Sequence, residues 1–463
     1  MKLFRLVVPI AAALVTISCT LSNNTGAVHA KQNAAMGDAV ATPESWSSEA
    51  LQKSVPTPDW LKSFNDPMML KLIAEGKANN PNLKVSSGNM EKAWLLAKQS
   101  GVGLKPTADL SVSGSQSGSV DNQYASSRSV NVGLQASWEL DVWDRVGSGV
   151  QAAQANAQSA QADYLFAQHS LSANIAKNYF KVIEANLQAQ ITRKNVKVLK
   201  ETMRITKVKY DNGLTSAQDM ALNRANLASA REQLILLEGS QRDAARALEV
   251  LLGRYPNAQL DISTALPTLP PSPPAGIPSE ILERRPDIIS AERQIASAFN
   301  ATNKAKAAQL PRFSLTSTVS GASNSLSDVL NPVNMAWQLA SNIVAPLFDG
   351  GKRQIDVDIA TTEQNQAVSN YAQKALTAFS EVESNLDQGQ VLARREVELN
   401  DVVLQSNKAY RIASLRYKEG EIGLLDALQI QQQAIAAESN LLSIKRSQLE
   451  QRVNLYLALG GGW

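Results

Sequence analysis

Two kinds of hydrophobic pattern alternate along the chain. Over Pro106 to Ser115 the apolar residues Ala108, Leu110 and Val112 alternate with polar ones, and over Ser129 to Trp138 so do Val130, Val132, Leu134, Ala136 and Trp138. This period of two predicts strands with one apolar and one polar face. Gly114 to Ser127, rich in Ser, Gly, Asp and Asn, reads as the loop of a hairpin. A second hairpin is marked by Phe313 and Leu315 outbound and by Met335, Trp337, Leu339 and Ile343 on return. After each hairpin the pattern turns helical. Val150 to Asn212 holds no Gly and no Pro, and at 1.5 Å per residue it predicts an unbroken helix of about 95 Å. Its counterpart runs from Gln354 to Glu419 with Gly389 inside. Turns at Gly213 and Gly420 lead each into a second long helix. On these return helices Met220, Leu227, Leu234 and Leu248, and Leu428, Ile435, Leu442, Leu449 and Tyr456, fall at seven-residue spacing, the mark of a coiled-coil seam. Ala434 and Ala436 are small enough to let helices approach closely.

The two sets of elements are copies of one unit. Arg204 to Gly213 aligns with Arg411 to Gly420, with Tyr210 on Tyr417, at a constant offset of 207 that also places Asp219 on Asp426, Leu252 on Leu459 and Gly253 on Gly460. Upstream an offset of 205 pairs Pro81 with Pro286, Pro106 with Pro311 and Asp144 with Asp349. Between the copies, Pro267 to Pro278 is too proline-rich for helix and reads as a semi-rigid linker. The expected organisation is therefore residues 56–255 as repeat 1, 256–278 as linker and 279–463 as repeat 2.

Composition supports long helices over thick cores: hydrophobic residues make up 44% of 463 positions and aromatics only 5%. The net charge of +3 and the absence of a basic cluster give no nucleic-acid surface. At the N-terminus, Lys2 and Arg5 precede an apolar run from Leu6 to Ile17, which predicts a signal peptide over residues 1–18, too short to span a bilayer permanently. It ends at Cys19, the single cysteine. That position is similar to a bacterial lipobox, with Thr16 where Leu is usual, and the resemblance implies lipid attachment at Cys19; plain cleavage nearby is the alternative. Residues 19–55 are polar and read as a tether. No later run is apolar enough for a membrane helix, so any membrane passage falls to strands.

Two hairpins give four strands, too few to close a barrel, and open edges are forbidden in lipid. A chain whose strands enter a membrane must then assemble, and three protomers supply 12 strands with room for a pore. The alternative is a water-facing hairpin packed on the helices.

At this point the residues resemble the TolC-like outer-membrane efflux proteins, in particular the OprM-like (NodT-like) lipoprotein branch. The matching stretches are Trp60 to Pro67, Trp138 to Arg145, Leu282 to Glu292, and the two Tyr-x-x-Gly turns followed six residues on by Asp. The resemblance implies a mostly α fold with a small β-barrel portion: internally duplicated helical hairpins forming a coiled-coil tunnel, and four strands per chain in a 12-stranded trimeric barrel. It implies a passive exit duct for drugs or other small toxic compounds, lipid-anchored in the outer membrane, its tunnel in the periplasm. Its partners would be two further copies, a periplasmic adaptor (membrane fusion) protein, an inner-membrane RND-type pump and outer-membrane lipid, with no nucleic acid and no cofactor.

Carried over by residue, the resemblance implies a periplasmic gate at Asp219, Arg416, Tyr417 and Asp426, with Tyr210, Gly213 and Gly420 forming the helix turns and docking the adaptor. Ile422 stands where some members carry a basic residue, which leaves the partner of Asp219 open. The aspartates could equally serve the starts of the return helices, where negative charge is favourable. Trp138, Trp143 and Trp337 are candidates for an interfacial belt or for packing at the barrel base. The Arg284-Arg285-Pro286-Asp287 run reads as a helix boundary with a surface ion pair. His29 and His169 lie far apart without metal-ligand spacing, and no nucleophile, base and orienting group come together, so the expected class is not an enzyme. A TolC-like duct for protein secretion and a structural coiled-coil envelope lipoprotein are the rival readings.

Overall fold

A computed structural model of the chain describes residues 60–118, 126–273, 276 and 278–460, with residues 34, 37 and 45–47. Cys19, the expected signal peptide and nearly all of the expected tether lie outside the described residues. A short 3-10 helix, Trp60–Phe64, leads into α1 (Pro67–Asn79) and α2 (Pro81–Val102), then strands β1 (Thr107–Gly118) and β2 (Ser126–Leu140). The first helical hairpin is α3 (Arg145–Asp211) and α4 (Ala217–Leu251). The same order recurs as α5 (Pro278–Arg284), α6 (Pro286–Ala307), β3 (Arg312–Ser323), β4 (Met335–Val344), α7 (Lys352–Glu419) and α8 (Leu424–Ala458). The fold is mostly α with one four-stranded sheet, as expected. At 67 and 68 residues, α3 and α7 are each about 100 Å long.

The described residues divide into two units. The first, within Gly88–Ala162 and Ile289–Lys374, holds the sheet. Its order is β1-β2-β3-β4 with every neighbouring pair antiparallel. The hairpin strands are longer than the alternation predicts. Gln116 to Gly118 and Ser126 to Arg128 pair in register beyond the expected strands, because ladder hydrogen bonds need backbone and not apolar side chains. α3 likewise begins five residues before Val150. Asp141 accepts from the Val146 and Gly147 amides at 2.9 and 2.6 Å, satisfying first-turn donors, and a Cβ at Gly147 would displace the Asp144 carboxylate.

The second unit, within Thr42–Ser87, Asp163–Ile288 and Ala375–Trp463, holds the main core. Trp60, 1% exposed, stacks on Tyr456 with ring centroids 4.6 Å apart. Asp66 caps α1 by accepting from the Met69 amide at 3.0 Å and takes the Tyr179 hydroxyl at 2.8 Å. Burial and this carboxylate push the Tyr179 hydroxyl far up. The linker is extended and packed instead of free: Leu260, Ile262, Leu266 and Leu269 lie against the core, and Arg452 donates to the Pro270 carbonyl.

The duplication extends to single hydrogen bonds. In repeat 1 Asn80 donates to the Leu251 carbonyl at 2.9 Å, and in repeat 2 Arg285 donates to the equivalent Ala458 carbonyl at 3.2 Å. Arg285 corrects the expected surface pair. It is 4% exposed, forks onto both oxygens of Asp287 at 3.1 and 2.9 Å, and reaches Glu381 at 2.7 Å. Arg284 makes the outer pair, with Glu280 at 3.0 Å. On α8 the close-approach residues are Ala434 and Ala437, both buried, while Ala436 is exposed. Gly389 sits within α7 without breaking it, against Gln451 Nε2.

Candidate functional site

Both helix turns end in the same left-handed cap. Gly213 has φ +71° and Gly420 φ +84°. The amide after each glycine bonds back across the last turn, Leu214 to Lys209 O at 2.8 Å and Glu421 to Arg416 O at 2.9 Å. This is the hydrogen-bond pattern in which glycine is preferred. A Cβ on either would meet nothing within 4 Å, so these glycines serve the backbone conformation and leave the outer surface of the turn bare. Tyr210 is 45% exposed.

The residues beyond the two turns are unequal. In repeat 1, Ser216 and Asp219 form a capping box: the Ser216 hydroxyl accepts from the Asp219 amide at 3.1 Å, and Asp219 Oδ2 accepts from the Ser216 amide at 3.3 Å. The Thr215 hydroxyl donates to the same Oδ2 at 2.6 Å. That bond, partly opposed by burial and reinforced by the Ser216 amide and hydroxyl, holds the Asp219 carboxyl below its usual range. In repeat 2 the cap position is Gly423, which has no side chain to offer. Asp426 is exposed and makes no hydrogen bond or ion pair among the described residues. Arg416 is not its partner within the chain; Arg416 pairs instead with Glu421 at 3.0 Å, both more than half exposed.

Tyr417 is 7% exposed and lies in a cluster with Val196, Leu199, Leu227, Leu424 and Leu428. Its hydroxyl meets Thr206 Oγ1 at 2.8 Å, and Thr206 in turn bonds the Thr202 carbonyl at 2.9 Å. Asn223 Nδ2 donates to Thr206 Oγ1 at 3.0 Å. Lys209 Nζ donates to the Tyr417 carbonyl at 2.6 Å and lies 4.5 Å from its ring centroid. Burial, with the nearby Asp219 charge, pushes the Tyr417 hydroxyl up against the lowering effect of Thr206. The result is a buried polar node that ties α7 to both helices of the first hairpin. Asn223 Oδ1 is buried there without a hydrogen-bond partner among the described residues. Lys209, Thr206 and Asn223 were not among the expected site residues. The signal lay in the duplication: at offset 207, Thr206 and Asn223 stand opposite Ala413 and Ile430, polar residues at core positions in one repeat alone.

The sheet has two chemically distinct faces. Paired residues share a face, and on one face the rows run Leu110–Leu134–Val319–Trp337, Ala108–Ala136–Ser317–Leu339, Trp138–Leu315–Ser341 and Leu140–Phe313–Ile343. On the other they run Asp109–Gln135–Thr318–Gln338 and Thr107–Ser137–Thr316–Ala340. Leu110, Leu339 and Trp337 are 70%, 68% and 79% exposed. Trp138 donates to the Leu104 carbonyl at 3.0 Å and Trp143 to the Pro311 carbonyl at 2.7 Å, so these two are fixed at the sheet's helical end. Elsewhere, burial and the Lys77 charge push His169 down to about 4, which keeps its ring neutral. No group of His, Cys, Asp and Glu among the described residues could hold a metal ion.

The model of the family described as outer membrane efflux protein matches residues 72–254 and 277–461. The chain is 30% identical over 416 residues to the cation efflux system protein CusC of Escherichia coli O6:H1, covering 87% of this chain and 88% of CusC. It is 27% identical over 443 residues to the pyoverdine export outer membrane protein OpmQ of Pseudomonas aeruginosa, covering 93% of each. Among solved structures, the Neisseria gonorrhoeae MtrE outer membrane channel in its open state superposes with a TM-score of 0.83 at 29% identity, covering 91% of this chain and 96% of MtrE. The chain belongs to the outer membrane efflux protein family.

Proposed function

We propose that the chain is one protomer of a trimeric, passive exit duct in the outer membrane, with its long helices forming a tunnel in the periplasm. The two-faced sheet carries this reading. From Leu140 to Val130 the apolar face spans ten residue steps of β2, and at about 3.4 Å per step and a tilt of about 40° its height is about 26 Å, close to the apolar band of outer-membrane barrels. β1 and β4 each have one partner only, and an open edge in hydrocarbon leaves backbone groups unsatisfied. β1 of one copy therefore pairs with β4 of the next. Two copies would make a barrel of about eight strands, filled by its own side chains, whereas three leave a lumen lined by the polar face.

Energy comes from an inner-membrane RND-type pump, joined to the duct by a periplasmic adaptor that meets Tyr210, Gly213 and Gly420. The gate is formed by Asp219, Arg416, Tyr417 and Asp426, and acylated Cys19 anchors the chain in the outer membrane. The names of CusC and OpmQ specify cations and pyoverdine, which favours small solutes over secreted proteins as cargo. Unheated samples on a denaturing gel should run as a trimer that heating dissociates. Purified protein that stays monomeric, with no disulfide-linked species from paired cysteines at Ser111 and Gln338 on the two sheet edges, would sink the trimer. Deletion of the gene should sensitise cells to particular small toxic solutes in a broad screen, and unchanged tolerance throughout would count against efflux. A Cys19→Ser chain that still incorporates labelled palmitate would remove the anchor.

A further inference from the structure

The connection between β3 and β4, residues 324–334, does not project freely from the sheet. Gly321 lies in the row Val112–Val132–Gly321–Met335, which belongs to the apolar face. A Cβ at Gly321 would collide with the Val329 carbonyl and come within 3.6 Å of the Asn334 carbonyl. The connection is thus folded back against the apolar face, and glycine is needed for it to lie so close. Val329 is 1% exposed and Val130, one row further out on the same face, is 8% exposed. A web of short bonds fixes this shape: Ser325 Oγ to Asp328 Oδ2 at 2.8 Å, Asn334 Nδ2 to the Asp328 carbonyl at 2.8 Å, and the Val333 amide to Asn331 Oδ1 at 3.2 Å.

With Val329 turned inward, Leu326, Leu330 and Val333 are left 66%, 64% and 88% exposed. Val333 lies two residues before Met335, and Met335 and Trp337 are 43% and 79% exposed on the apolar face. Beyond this level on that face stands Arg128, paired with Gln116 in the ladder, exposed and with no ion pair or hydrogen bond among the described residues. Exposed aliphatic residues on a connection folded over the apolar face, with an exposed cation at the rim of that face, match the boundary between acyl chains and anionic headgroups. We propose that residues 324–334 form a lipid-seated pad at the outer rim of the barrel, with Leu326, Leu330 and Val333 in the acyl region and Arg128 at headgroup level. This rests on the barrel reading above and adds to it that the β3–β4 connection clothes the outside of the duct and does not lid its mouth.

The test uses full-length trimer carrying an environment-sensitive label at Leu330→Cys, reconstituted in phosphatidylethanolamine and phosphatidylglycerol vesicles with a nitroxide near the top of the acyl chain. Protein without the introduced cysteine gives the background. Label at Leu339→Cys marks the middle of the apolar face and label at Asp109→Cys the polar face. At position 330 we expect nitroxide quenching, with most of the iodide quenching seen at position 109 lost. Gly321→Ala, which must push the connection away, should restore iodide access at 330 while leaving 339 lipid-quenched. Full iodide quenching at 330 without nitroxide quenching overturns the pad, as does shielding from both quenchers, which would mean protein covers it. If position 339 also escapes the nitroxide, the barrel reading itself has failed.

Discussion

At the scale of single residues, the bonds that hold the helical hairpins are of very different worth. The Tyr417 hydroxyl is buried and shares Thr206 with Asn223. Tyr417→Phe removes one neutral hydrogen bond while keeping the ring in its cluster, so it should cost about 1 kcal/mol and raise single-channel conductance in a planar bilayer. An unchanged conductance would assign the node to stability alone. Arg285 is the heavier case. Its loss leaves Asp287 and the Ala458 carbonyl without their buried partner, and breaking a buried pair costs about 3–5 kcal/mol. Arg285→Lys should recover little of this, since an ammonium cannot fork onto both carboxylate oxygens; urea titration of the detergent-solubilised protein would report both variants. Sequence alone reads a charged run before a proline as surface because charges are rarely buried unpaired. The partners that make burial tolerable, Glu381 and Ala458, are 96 and 173 positions away. Tyr417 and Asp426 stand out as candidates because they fall in a repeated motif, whereas Thr206 and Asn223 break the repeat and carry no motif.

At the scale of elements, periodicity gave the hairpins and long helices directly, since a strand alternates every two residues and a seam every seven. It could not give the strand ends, where polar residues pair by backbone alone, nor separate the glycines that make turns from those that make contacts. Gly213, Gly253, Gly420 and Gly460 all have positive φ. A Cβ at Gly420 meets nothing, but at Gly460 it comes within 3.1 Å of the Arg285 amide nitrogen, and at Gly253 within 2.8 Å of the Asn79 carbonyl. Gly420→Ala should therefore cost only the left-handed conformation, about 1–2 kcal/mol. Gly460→Ala should cost a further 1–3 kcal/mol or so, because a packed backbone has to move. Equal melting temperatures for the two variants would contradict the close approach. The caps differ too. Ser216→Ala should destabilise the start of α4 by about 1 kcal/mol, and α8 has no equivalent residue to lose. Because the folded-state Asp219 carboxyl is held below its unfolded value, its contribution is complete above the ordinary carboxylate range. It is lost as pH falls through the lowered folded value, so Ser216→Ala should weaken the response of the tip to acid.

At the scale of the whole molecule, the two repeats share a backbone plan but differ in how their turns use charged groups. The first hairpin commits its polar groups within the chain, Asp219 to its own cap and Lys209 to Tyr417 of the second hairpin. The second leaves Asp426 exposed and holds Arg416 only in an open pair with Glu421, a kind of contact worth about 0–1 kcal/mol. In the proposed trimer three Asp426 carboxylates would lie towards one axis, where they would repel each other unless cations from neighbouring copies intervene. Arg416 can act as such a cation, since its weak pair with Glu421 makes an exchange to a neighbour's Asp426 inexpensive. Two substitutions should then move the tip in opposite directions. Asp426→Ala removes the acceptor and should raise conductance in a planar bilayer. Glu421→Gln releases Arg416 to the neighbour and should hold conductance at or below the wild-type value. Adding Tyr417→Phe to Asp426→Ala should open the tip further than either change alone, because one acts between copies and the other within the chain. Conductance of Asp426→Ala no higher than wild type would remove Asp426 from the gate and leave the buried Tyr417 node as the only closure the second repeat supplies.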